Sequence, residues 1–410
     1  MALNIIWIAF FVIAFIIALF KLLILGDTGI FKLLADGIFD SAKSSVIDVA
    51  FPLMGTMVFF LGLMNIAEKA GAIQKLAKWM NPFLSRLFPG VPENHPAMGQ
   101  MVMNFSANML GLDNAATPFG LKAMESLQSL NQEKEKATNA QIMFLVLHTS
   151  GLTIIPLTII SYRLAAGSQD AAGIFIPCVL ATLGTTLASI LLVGIYQKLK
   201  WDKVLISWLL GLVGLMTGVL LIVNALAPAQ KEMVSKVAGN GLLLFIIVLI
   251  ILGGAYKKIS VFDAFIEGAK NGFEVIVKII PYLVAMLVAI RVFRDSGAMA
   301  YIIDGLTYLI QLTGLNTEFT GALPVAIMKP LSGSGARGLM LDIFQSKGPD
   351  SFVGKLASIF QGSADTTFYI IALYFGSVGI KKVRYALWAG IFADMIGVII
   401  AICIGYVFFK

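Results

Sequence analysis

Apolar runs recur along the chain and restrict its fold more than any other feature. Each run spans about 18–25 residues, enough for an α-helix to cross a bilayer core of about 30 Å. The runs are continuous and lack the period-two alternation of a transmembrane β-barrel. Hydrophobic residues make up 59% of the chain and charged residues only 13%. The sequence therefore predicts an all-α polytopic membrane protein.

We expect about nine full spans, separated by amphipathic stretches that suit the membrane interface. The expected spans lie near 5–25, 46–66, 141–162, 172–197, 204–227, 240–255, 272–293, 353–375 and 384–408. The amphipathic stretches lie near 27–44, 67–87, 257–271 and 297–312. The first run lacks a basic region before it and a small-residue cleavage site after it, which indicates a retained span and not a signal peptide.

The chain follows the same plan twice, over residues 4–197 and 240–408. Local matches support the pairing, since Gly71 stands where Gly297 stands in the second copy. The repeat predicts two homologous regions and a linking transmembrane helix. Their predicted bounds are 1–200 for the first repeat, 201–238 for the linking helix and 239–410 for the second repeat.

Each copy contains a polar, Gly-rich segment inside apolar sequence, near 96–128 and 320–346. About 30 residues are too few for two crossings but suit two half-helices with a turn, so we predict re-entrant helical hairpins. An odd number of crossings then separates the copies, which predicts inverted repeats. Paired interruptions of this kind are typical of a solute site near the membrane midplane.

The first interruption carries polar residues on both sides of a helix break. Gly111 and Pro118 break the helix and expose backbone N–H and C=O groups. Amide side chains offer both donors and acceptors to a polar solute. An alternative is that these residues serve only to pack helices together. Their density around the break favours a solute-binding site. The candidates are Asn104, Ser106, Asn108, Asp113, Asn114 and Thr117.

The second interruption joins cationic and hydroxyl side chains to a Ser-Gly-Ser-Gly run. The glycines permit close backbone approach, and successive N–H groups form a nest that suits an anion. A charge inside a membrane segment is costly unless it is paired or hydrated, although long cationic side chains can also reach an interface. The candidates are Lys329, Ser332, Ser334 and Arg337.

A third polar cluster lies at 361–366, and its counterpart in the first copy lies at 148–153. We expect both to face the hairpin tips. Asp365 has no charged counterpart, which suits an ion-coupling or proton-carrying role or a structural ion pair with Arg337 or Lys329. A lone histidine more often completes a core hydrogen bond than titrates in function. The candidates are His148, Ser150, Gln361, Ser363, Asp365 and Thr366.

The sequence gives no indication of catalysis or of a bound cofactor. Neither a GxSxG nor an HExxH motif occurs, so we do not expect an enzyme. Cys178 and Cys403 lie in apolar runs without a CxxC pattern, and we expect neither a metal site nor a disulfide framework. The net charge of +7 is modest, and basic residues at membrane loops do not indicate nucleic-acid binding.

Several runs resemble known membrane proteins of spore formers. Residues 104–124 are similar to the hallmark of the spore maturation protein A family. The runs that resemble the spore maturation protein B family are 329–338, 348–351, 361–369 and 374–379. Lys329 stands where we would expect Arg, which keeps the charge but loses the two-pronged geometry.

The resemblance implies a natural fusion of the two proteins. It also implies membership of the nucleoside-recognition (Gate) group, which includes concentrative nucleoside transporters and ferrous-iron transport proteins. In spore formers the two proteins are associated with dehydration of the spore core. The resemblance names no substrate.

The sequence predicts a transporter of a small polar or anionic solute that works by alternating access, with the solute bound between the two hairpins. Two alternatives stay open, a non-transporting assembly or regulatory factor and a translocator of lipid or lipid phosphate. The expected partners are a small-molecule solute and the lipid bilayer, not nucleic acid, and a homo-oligomer is compatible with the sequence. The expected location is the bacterial plasma membrane, with a cytoplasmic N-terminus.

Overall fold

A computed structural model describes residues 2–92, 94–111 and 113–410, and this part of the chain is helical and contains no strand. The helices of the first half are α1 (Ala2–Leu25), α2 (Ile30–Ser44), α3 (Phe51–Lys69), α4 (Ala72–Leu87), α5 (Pro96–Met109), α6 (Asp113–Ser129), α7 (Asn139–Ser150), α8 (Leu157–Ala165), α9 (Phe175–Tyr196) and α10 (Lys203–Asn224). Those of the second half are α11 (Pro228–Tyr256), α12 (Val261–Asp295), α13 (Ala298–Gln311), α14 (Leu323–Met328), α15 (Gly333–Lys347), α16 (Phe352–Gly362), α17 (Thr367–Ser377) and α18 (Ala386–Phe409). The predicted all-α class is confirmed.

Among the described residues, six helical segments are long and apolar enough to cross a membrane. They are Ile5–Leu25, Ile30–Lys69, Ala171–Tyr196, Lys203–Asn224, Lys236–Tyr256 and Ala386–Phe409. The remaining predicted spans correspond to α12, which runs 35 residues and absorbs the amphipathic stretch before it, and to two interrupted helices. The protein is therefore a multi-pass membrane protein.

The amphipathic stretch 27–44 and the span that follows it form one continuous helix and not two elements. A π-helical turn, Ser45–Ala50, joins α2 to α3 without a break. Such a turn closes i→i+5 hydrogen bonds and accommodates an extra residue within an α-helix. The sequence pattern changes from amphipathic to uniformly apolar at this turn, while the backbone remains helical.

The predicted span near 141–162 is wrong as a continuous helix, because the structure divides it into α7 and α8. Gly151 follows α7 with left-handed backbone at φ +57°, a conformation that glycine adopts without steric cost. Pro156, just before α8, has no N–H to continue a helical ladder. The chain between these residues is not helical, so backbone polar groups in the middle of the segment need partners outside a helix, as when Ile154 N–H donates to Met109 O at 2.8 Å.

The predicted span near 353–375 is divided in the same way, into α16 and α17. Residues 363–366 separate the two helices, and Thr366 precedes α17 with extended backbone at φ −80° and ψ 98°. The corresponding break in the first copy shows that interrupted helices are part of the repeated plan. The polar residues of the third cluster therefore lie within breaks and not at the starts of spans.

The order of the elements is repeated along the chain. The series α3, α4, α5–α6, α7–α8, α9 is followed later by α12, α13, α14–α15, α16–α17, α18. α4 and α13 both begin after a left-handed glycine, Gly71 at φ +78° and Gly297 at φ +94°, as the local match predicts. The opposite orientation of the copies and the bounds 1–200, 201–238 and 239–410 stay predictions.

The helices form two compact units, each assembled from separate stretches of the chain. The first unit contains Met1–Gly62, Ile159–Ala171 and Glu267–Gln361. The second unit contains Leu63–Thr158, Ala172–Ile266 and Gly362–Lys410. The first unit includes the hairpin α14–α15 with α16 and most of α8, and the second includes the hairpin α5–α6 with α7 and α17. Each unit thus holds one hairpin and part of each interrupted helix.

A buried arginine organises the first unit. Arg163 of α8 is 0% exposed, and its guanidinium donates to Pro349 O at 2.6 Å and to Asp350 Oδ1 at 2.7 Å. Further bonds reach Ser168 Oγ at 3.1 Å and Ser358 Oγ at 3.3 Å. A buried charge requires such partners because desolvation costs several kcal/mol. The network fixes the end of α8 to the turn between α15 and α16.

We expect Asp350 to stabilise the protein at neutral pH and to lose this effect in acid. Burial alone would raise its pKa, but hydrogen bonds from Ser168 and the Gln169 N–H and the charge of Arg163 together hold the pKa below its ordinary value. The stabilisation is therefore present above about pH 3.9, the pKa of an unfolded aspartate, and is lost as pH falls through the lower native pKa.

The measurement is the thermal midpoint of the wild type and Asp350→Asn at pH 7 and in acid. We expect a lower midpoint for the variant at pH 7, and a difference that shrinks as the pH falls below about 4. A difference that is the same at both pH values would contradict a role for the ionised carboxylate.

Aromatic side chains fill the core of the second unit. Phe144 of α7 and Tyr374 of α17 are both 0% exposed, with ring centres 5.6 Å apart. Phe105 of α5 lies 5.5 Å from Phe144. This packing brings the first hairpin, α7 and α17 together, and it positions the polar side chains that lie beside the rings.

Candidate functional site

The first interruption forms a helical hairpin in the second unit. α5 and α6 pack against each other, and Gly111 turns the chain between them at φ +71°. α5 contains 14 residues and α6 contains 17, so each spans about 21–25 Å at 1.5 Å per residue. Both are shorter than a bilayer core of about 30 Å. The lengths suit a re-entrant hairpin, whose insertion in the membrane stays a prediction.

Two amides of the hairpin meet the histidine of α7. Asn104 is fully buried; its Nδ2 donates to Ala116 O at 2.6 Å across the hairpin, and its Oδ1 lies 2.9 Å from His148 Nδ1. Asn108 Nδ2 lies 3.0 Å from the same nitrogen. Buried polar groups are stable only when they are hydrogen-bonded. Asn104, Asn108 and His148 therefore form one network, as the sequence predicts for neighbouring site residues.

The contacts of Asn104 determine the tautomer of His148. Because Asn104 Nδ2 donates to a carbonyl, its Oδ1 faces the imidazole as an acceptor, and His148 Nδ1 carries the proton. Nε2 then keeps its lone pair and accepts from the Tyr374 hydroxyl, 3.4 Å away. Asn108 fits the same tautomer when its amide oxygen, and not its nitrogen, faces Nδ1, an exchange that preserves the shape of the side chain.

Asp365 lies beside the free face of this imidazole. Its Oδ2 is 3.8 Å from His148 Nε2, and its side chain is 47% exposed against 5% for the histidine. The Asp365 N–H donates to Thr149 O at 2.7 Å, which attaches the break before α17 to the last turn of α7. The site thus combines a proton-accepting nitrogen, one buried amide, one half-buried amide and one accessible carboxylate.

Two other predicted residues of the second unit lie near this network but have other surroundings. Ser150 Oγ donates to Leu147 O at 2.8 Å and lies 3.1 Å from Thr186 Oγ1, so it helps to pack α7 on α9. Ser106 is fully buried, and its hydroxyl has no hydrogen-bond partner among the described residues. Ser106 therefore has a donor and an acceptor left for a small polar group.

The remaining predictions for this unit have a mixed outcome. Ser363 is buried within the break between α16 and α17, and Thr366 is buried at the start of α17. Thr117 is half-buried in α6. The side chains of Asp113 and Asn114 lie outside the described residues. The structure thus brings Asn104 and Asn108 of the first predicted cluster together with His148 and Asp365 of the third, whereas Gln361 contacts the second hairpin.

The second interruption also forms a hairpin, in the first unit, where α14 packs on α15. Ser332 caps α15: its Oγ accepts from Gly335 N–H at 3.0 Å and lies 3.2 Å from Ser334 Oγ. Gln361 Nε2 donates to Gly333 O at 3.4 Å, and Gln361 Oε1 is buried without a hydrogen-bond partner among the described residues. The start of α15 carries the positive end of the helix dipole.

Two cations lie on this second hairpin. Lys329 is buried and its Nζ donates to Gln361 O at 2.7 Å. The Arg337 guanidinium carbon lies 5.2 Å from the centre of the Tyr162 ring, a stabilising cation–π arrangement. Arg337 Nε is buried without a hydrogen-bond partner among the described residues. Lys329 is thus held by the backbone, whereas Arg337 keeps a donor for an anion.

Sequence reasoning missed Tyr374 and Gly120, which contact each other beside His148. A Cβ atom added at Gly120 would overlap the Tyr374 hydroxyl and lie 2.9 Å from Asn104 Nδ2. The signals were weak, because an aromatic residue in an apolar run and a glycine in a helix are both common in membrane helices. Gly120 lies within the run 104–124 and Tyr374 within the run 374–379, and the family resemblance of these runs was the one indication that could have identified them.

A cavity of about 450 Å³ lies in the first unit, away from the predicted residues. Ser44, Asp48 and Gln345 form its polar side, and Tyr162 belongs to its wall. None of the predicted site residues lines it. Tyr162 connects it to Arg337, whose guanidinium covers the tyrosine ring.

Comparisons with known proteins give two relatives and one family. Spore maturation protein B of Bacillus subtilis (strain 168) is 48% identical over 159 residues, which is 39% of this chain and 88% of that protein. Spore maturation protein A of the same organism is 40% identical over 189 residues, 46% of this chain and 92% of that protein. The two match different parts of the chain.

A family model described as "Gate: Nucleoside recognition" matches residues 50–165 and 276–381, more than half of the chain. No solved structure is significantly similar to the chain. The two matched segments each include one hairpin and one interrupted helix, so the family features coincide with the polar clusters described above.

Proposed function

Because the chain belongs to the nucleoside-recognition (Gate) family and joins a spore maturation protein A-like part to a protein B-like part, we propose that it is a membrane transporter. The cargo is a small polar or anionic solute, and the mechanism is alternating access. The solute binds at the network of Asn104, Asn108, His148 and Asp365. The additional contact of the same solute with the second hairpin stays a prediction.

One observation carries the proposal: the ends of interrupted helices meet at a polar network in the second unit. The Asp365 N–H bonds to Thr149 O, so the start of α17 and the end of α7 are adjacent. Interrupted backbone inside a membrane is tolerated where protein or a water-filled cavity satisfies it. In transporters such breaks supply backbone and side-chain groups to the cargo, and Asp365 is accessible enough to do so.

The chemistry of the network supports a hydroxyl- or amide-bearing solute. Asp365 accepts hydrogen bonds, and amides such as Asn108 both donate and accept. A site built on such pairs rejects analogues that lack the matching group, because its buried polar atoms would remain unpaired. Arg337 and the start of α15 support a carboxylate or phosphate on the cargo, as a nest beside a cation does.

The wider assignments follow from this function. We propose a location in the bacterial plasma membrane with a cytoplasmic N-terminus, and a protein that moves its cargo without chemical change. The alternatives remain a non-transporting factor, in which the polar clusters only join helices, and a lipid translocator. The same experiment separates these three.

We expect Asp365→Asn to weaken solute binding by about tenfold or more, the equivalent of about 1.4 kcal/mol. The amide has the same shape but lacks the charge and one acceptor. Purified protein is first screened by thermal shift against nucleosides, carboxylates and phosphates, since a bound ligand raises the midpoint. The hit is then assayed for uptake into proteoliposomes by the wild type and the variant.

The matched control is Asp304→Asn, an exposed carboxylate of α13, which should bind and transport like the wild type. If no solute of a broad panel is bound or moved, while Asp365→Asn still alters the physiology of the host cell, the protein is a non-transporting factor. Movement of labelled lipid between leaflets, without solute uptake, would instead identify a lipid translocator.

A further inference from the structure

Both compact units are built from both parts of the chain. The amino-terminal part (residues 1–200) and the carboxyl-terminal part (residues 239–410) are the two predicted repeats. The first unit takes Met1–Gly62 and Ile159–Ala171 from the amino-terminal part and Glu267–Gln361 from the other. The second unit is mixed in the same way. Neither part therefore corresponds to a compact unit of its own, although the matching relatives are two separate proteins.

In the first unit, polar bonds join the two parts. Arg163, from the amino-terminal part, is 0% exposed and bonds to Pro349 O and to Asp350. The Trp7 indole donates to Ala285 O at 3.0 Å. Truncating one partner of a buried charge pair is costly, because the other is left desolvated.

In the second unit, the two parts exchange backbone hydrogen bonds at their loops. Ala137 N–H donates to Lys382 O at 3.0 Å, and the N–H groups of Lys381 and Lys382 donate to Glu135 O at 3.0 and 2.9 Å. Arg384 of the carboxyl-terminal part donates to Ala137 O at 3.0 Å. Such bonds fix the register of one loop on the other as a short sheet does.

The polar network is itself shared between the parts. Asn104, Asn108 and His148 come from the amino-terminal part, whereas Asp365 and Tyr374 come from the carboxyl-terminal part. The Tyr374 hydroxyl occupies the place that a side chain at position 120 would fill. Neither part alone contains a complete network.

We propose that the two parts are complementary subunits of one assembly, held together by these contacts and not by the covalent link between them. The expected partner of an unlinked amino-terminal part is a chain of the spore maturation protein B type, and the reverse holds for the other part. The polar network forms only when both are present. This inference concerns assembly and does not depend on transport.

The link offers a direct test on the full chain. The turn between α10 and α11 exposes Ala225, and a protease recognition site inserted after this residue allows the purified, folded protein to be cut. We expect both fragments to elute together in equal amounts from a sizing column in detergent, with the helical circular dichroism of the uncut protein. The thermal midpoint of the cut protein should rise with protein concentration, while that of the uncut protein stays constant.

A variant pair identifies the contacts that hold the fragments. Asp350→Asn removes a carboxylate that pairs across the two parts. We expect it to raise the dissociation constant of the two fragments about tenfold, which corresponds to about 1.4 kcal/mol. The control is Glu133→Gln, whose carboxylate pairs with Lys136 inside the amino-terminal part. It should leave the dissociation of the cut protein unchanged.

The uncut protein with the insertion shows whether the insertion alone disturbs folding. If it does, a second version with the site after Lys200, which is exposed between α9 and α10, replaces it and still keeps both parts intact. Fragments that separate at every concentration, or that lose helical structure on cutting, would overturn the proposal. A midpoint that is independent of concentration after cutting would overturn it as well.

Discussion

Arg163→Met is expected to lower the free energy of unfolding by about 1.5–3 kcal/mol, the usual contribution of hydrogen bonds to a charged group. The guanidinium is 0% exposed, whereas the Asp350 side chain is 36% exposed and stays partly hydrated without it. Methionine fills most of the volume of the arginine stem, so the effect isolates the guanidinium. Its loss removes the cation that pairs with Asp350 and the donor that bonds to the Pro349 and Asp170 carbonyls. The measurement is thermal unfolding in detergent followed by circular dichroism.

Two comparison variants make the result specific. Arg86 pairs with Asp202 at 2.8 Å, but the two side chains are 41% and 39% exposed, so Arg86→Met should destabilise the protein much less than Arg163→Met. Arg163→Lys keeps the charge but cannot reach several partners at once, and we expect an intermediate loss. Equal losses for Arg163→Met and Arg86→Met would show that the buried network contributes little.

Gly120→Ala is expected to destabilise the protein by about 1–3 kcal/mol, the usual cost of overfilling a packed core. The added methyl group would overlap the Tyr374 hydroxyl and press on Asn104. Tyr374 and Asn104 both contact His148, so the change should also weaken solute binding. The measurements are the thermal midpoint and the thermal shift produced by the solute identified in the screen.

Gly99→Ala is the matched control, since Gly99 lies in α5 and an added Cβ meets nothing within 4 Å. Alanine favours a helix over glycine by about 0.5–1 kcal/mol, so this change should stabilise the protein slightly. In the double variant Gly120→Ala, Tyr374→Leu the two effects should not add, because the clash is removed. Strict additivity would mean that the two residues do not contact each other.

Much of the architecture could be predicted from the sequence because the bilayer permits few structures. Apolar runs of sufficient length can only be helices, and the polar interruption around Gly111 could only be a turn between shorter helices. The match of Gly71 to Gly297 also predicted a real correspondence, since both precede a helix in the left-handed region. The sequence also predicted that the polar cluster around His148 faces a hairpin tip, although not which side chains it contacts.

The breaks between α7 and α8 and between α16 and α17 were not predicted, although the sequence contained a signal for the first of them. Gly151 and Pro156 both lie in the break after α7. Isolated glycine and proline are tolerated in membrane helices, so the apolar stretch that contains them is still predicted to be a continuous transmembrane helix. Residues 363–366 contain neither residue type. There the break depends on tertiary bonds, such as that from Asp365 N–H to Thr149 O, which no local pattern encodes.

The mixing of the two parts was also beyond the sequence. Periodicity and composition describe a segment and its immediate neighbours, whereas the bond of Arg163 to Asp350 joins residues 187 positions apart. A repeat is naturally taken for two separate bodies. Only the contacts show that each body takes helices from both copies.

The continuous helix from Ile30 to Lys69 contains 40 residues and is therefore about 60 Å long, roughly twice the thickness of the hydrocarbon layer. Four of its seven charged residues, Lys32, Asp36, Asp40 and Lys43, lie in α2, and the others are Asp48 in the π-helical turn and Glu68 and Lys69 at the end of α3. Because charge is costly inside the hydrocarbon layer, we expect α2 to be the portion that leaves the lipid. A rod of this length acts as a lever. A change of about 10° in the tilt of α3 would displace the far end of α2 by roughly 10 Å, which converts a small movement within the bilayer into a large one in the aqueous phase.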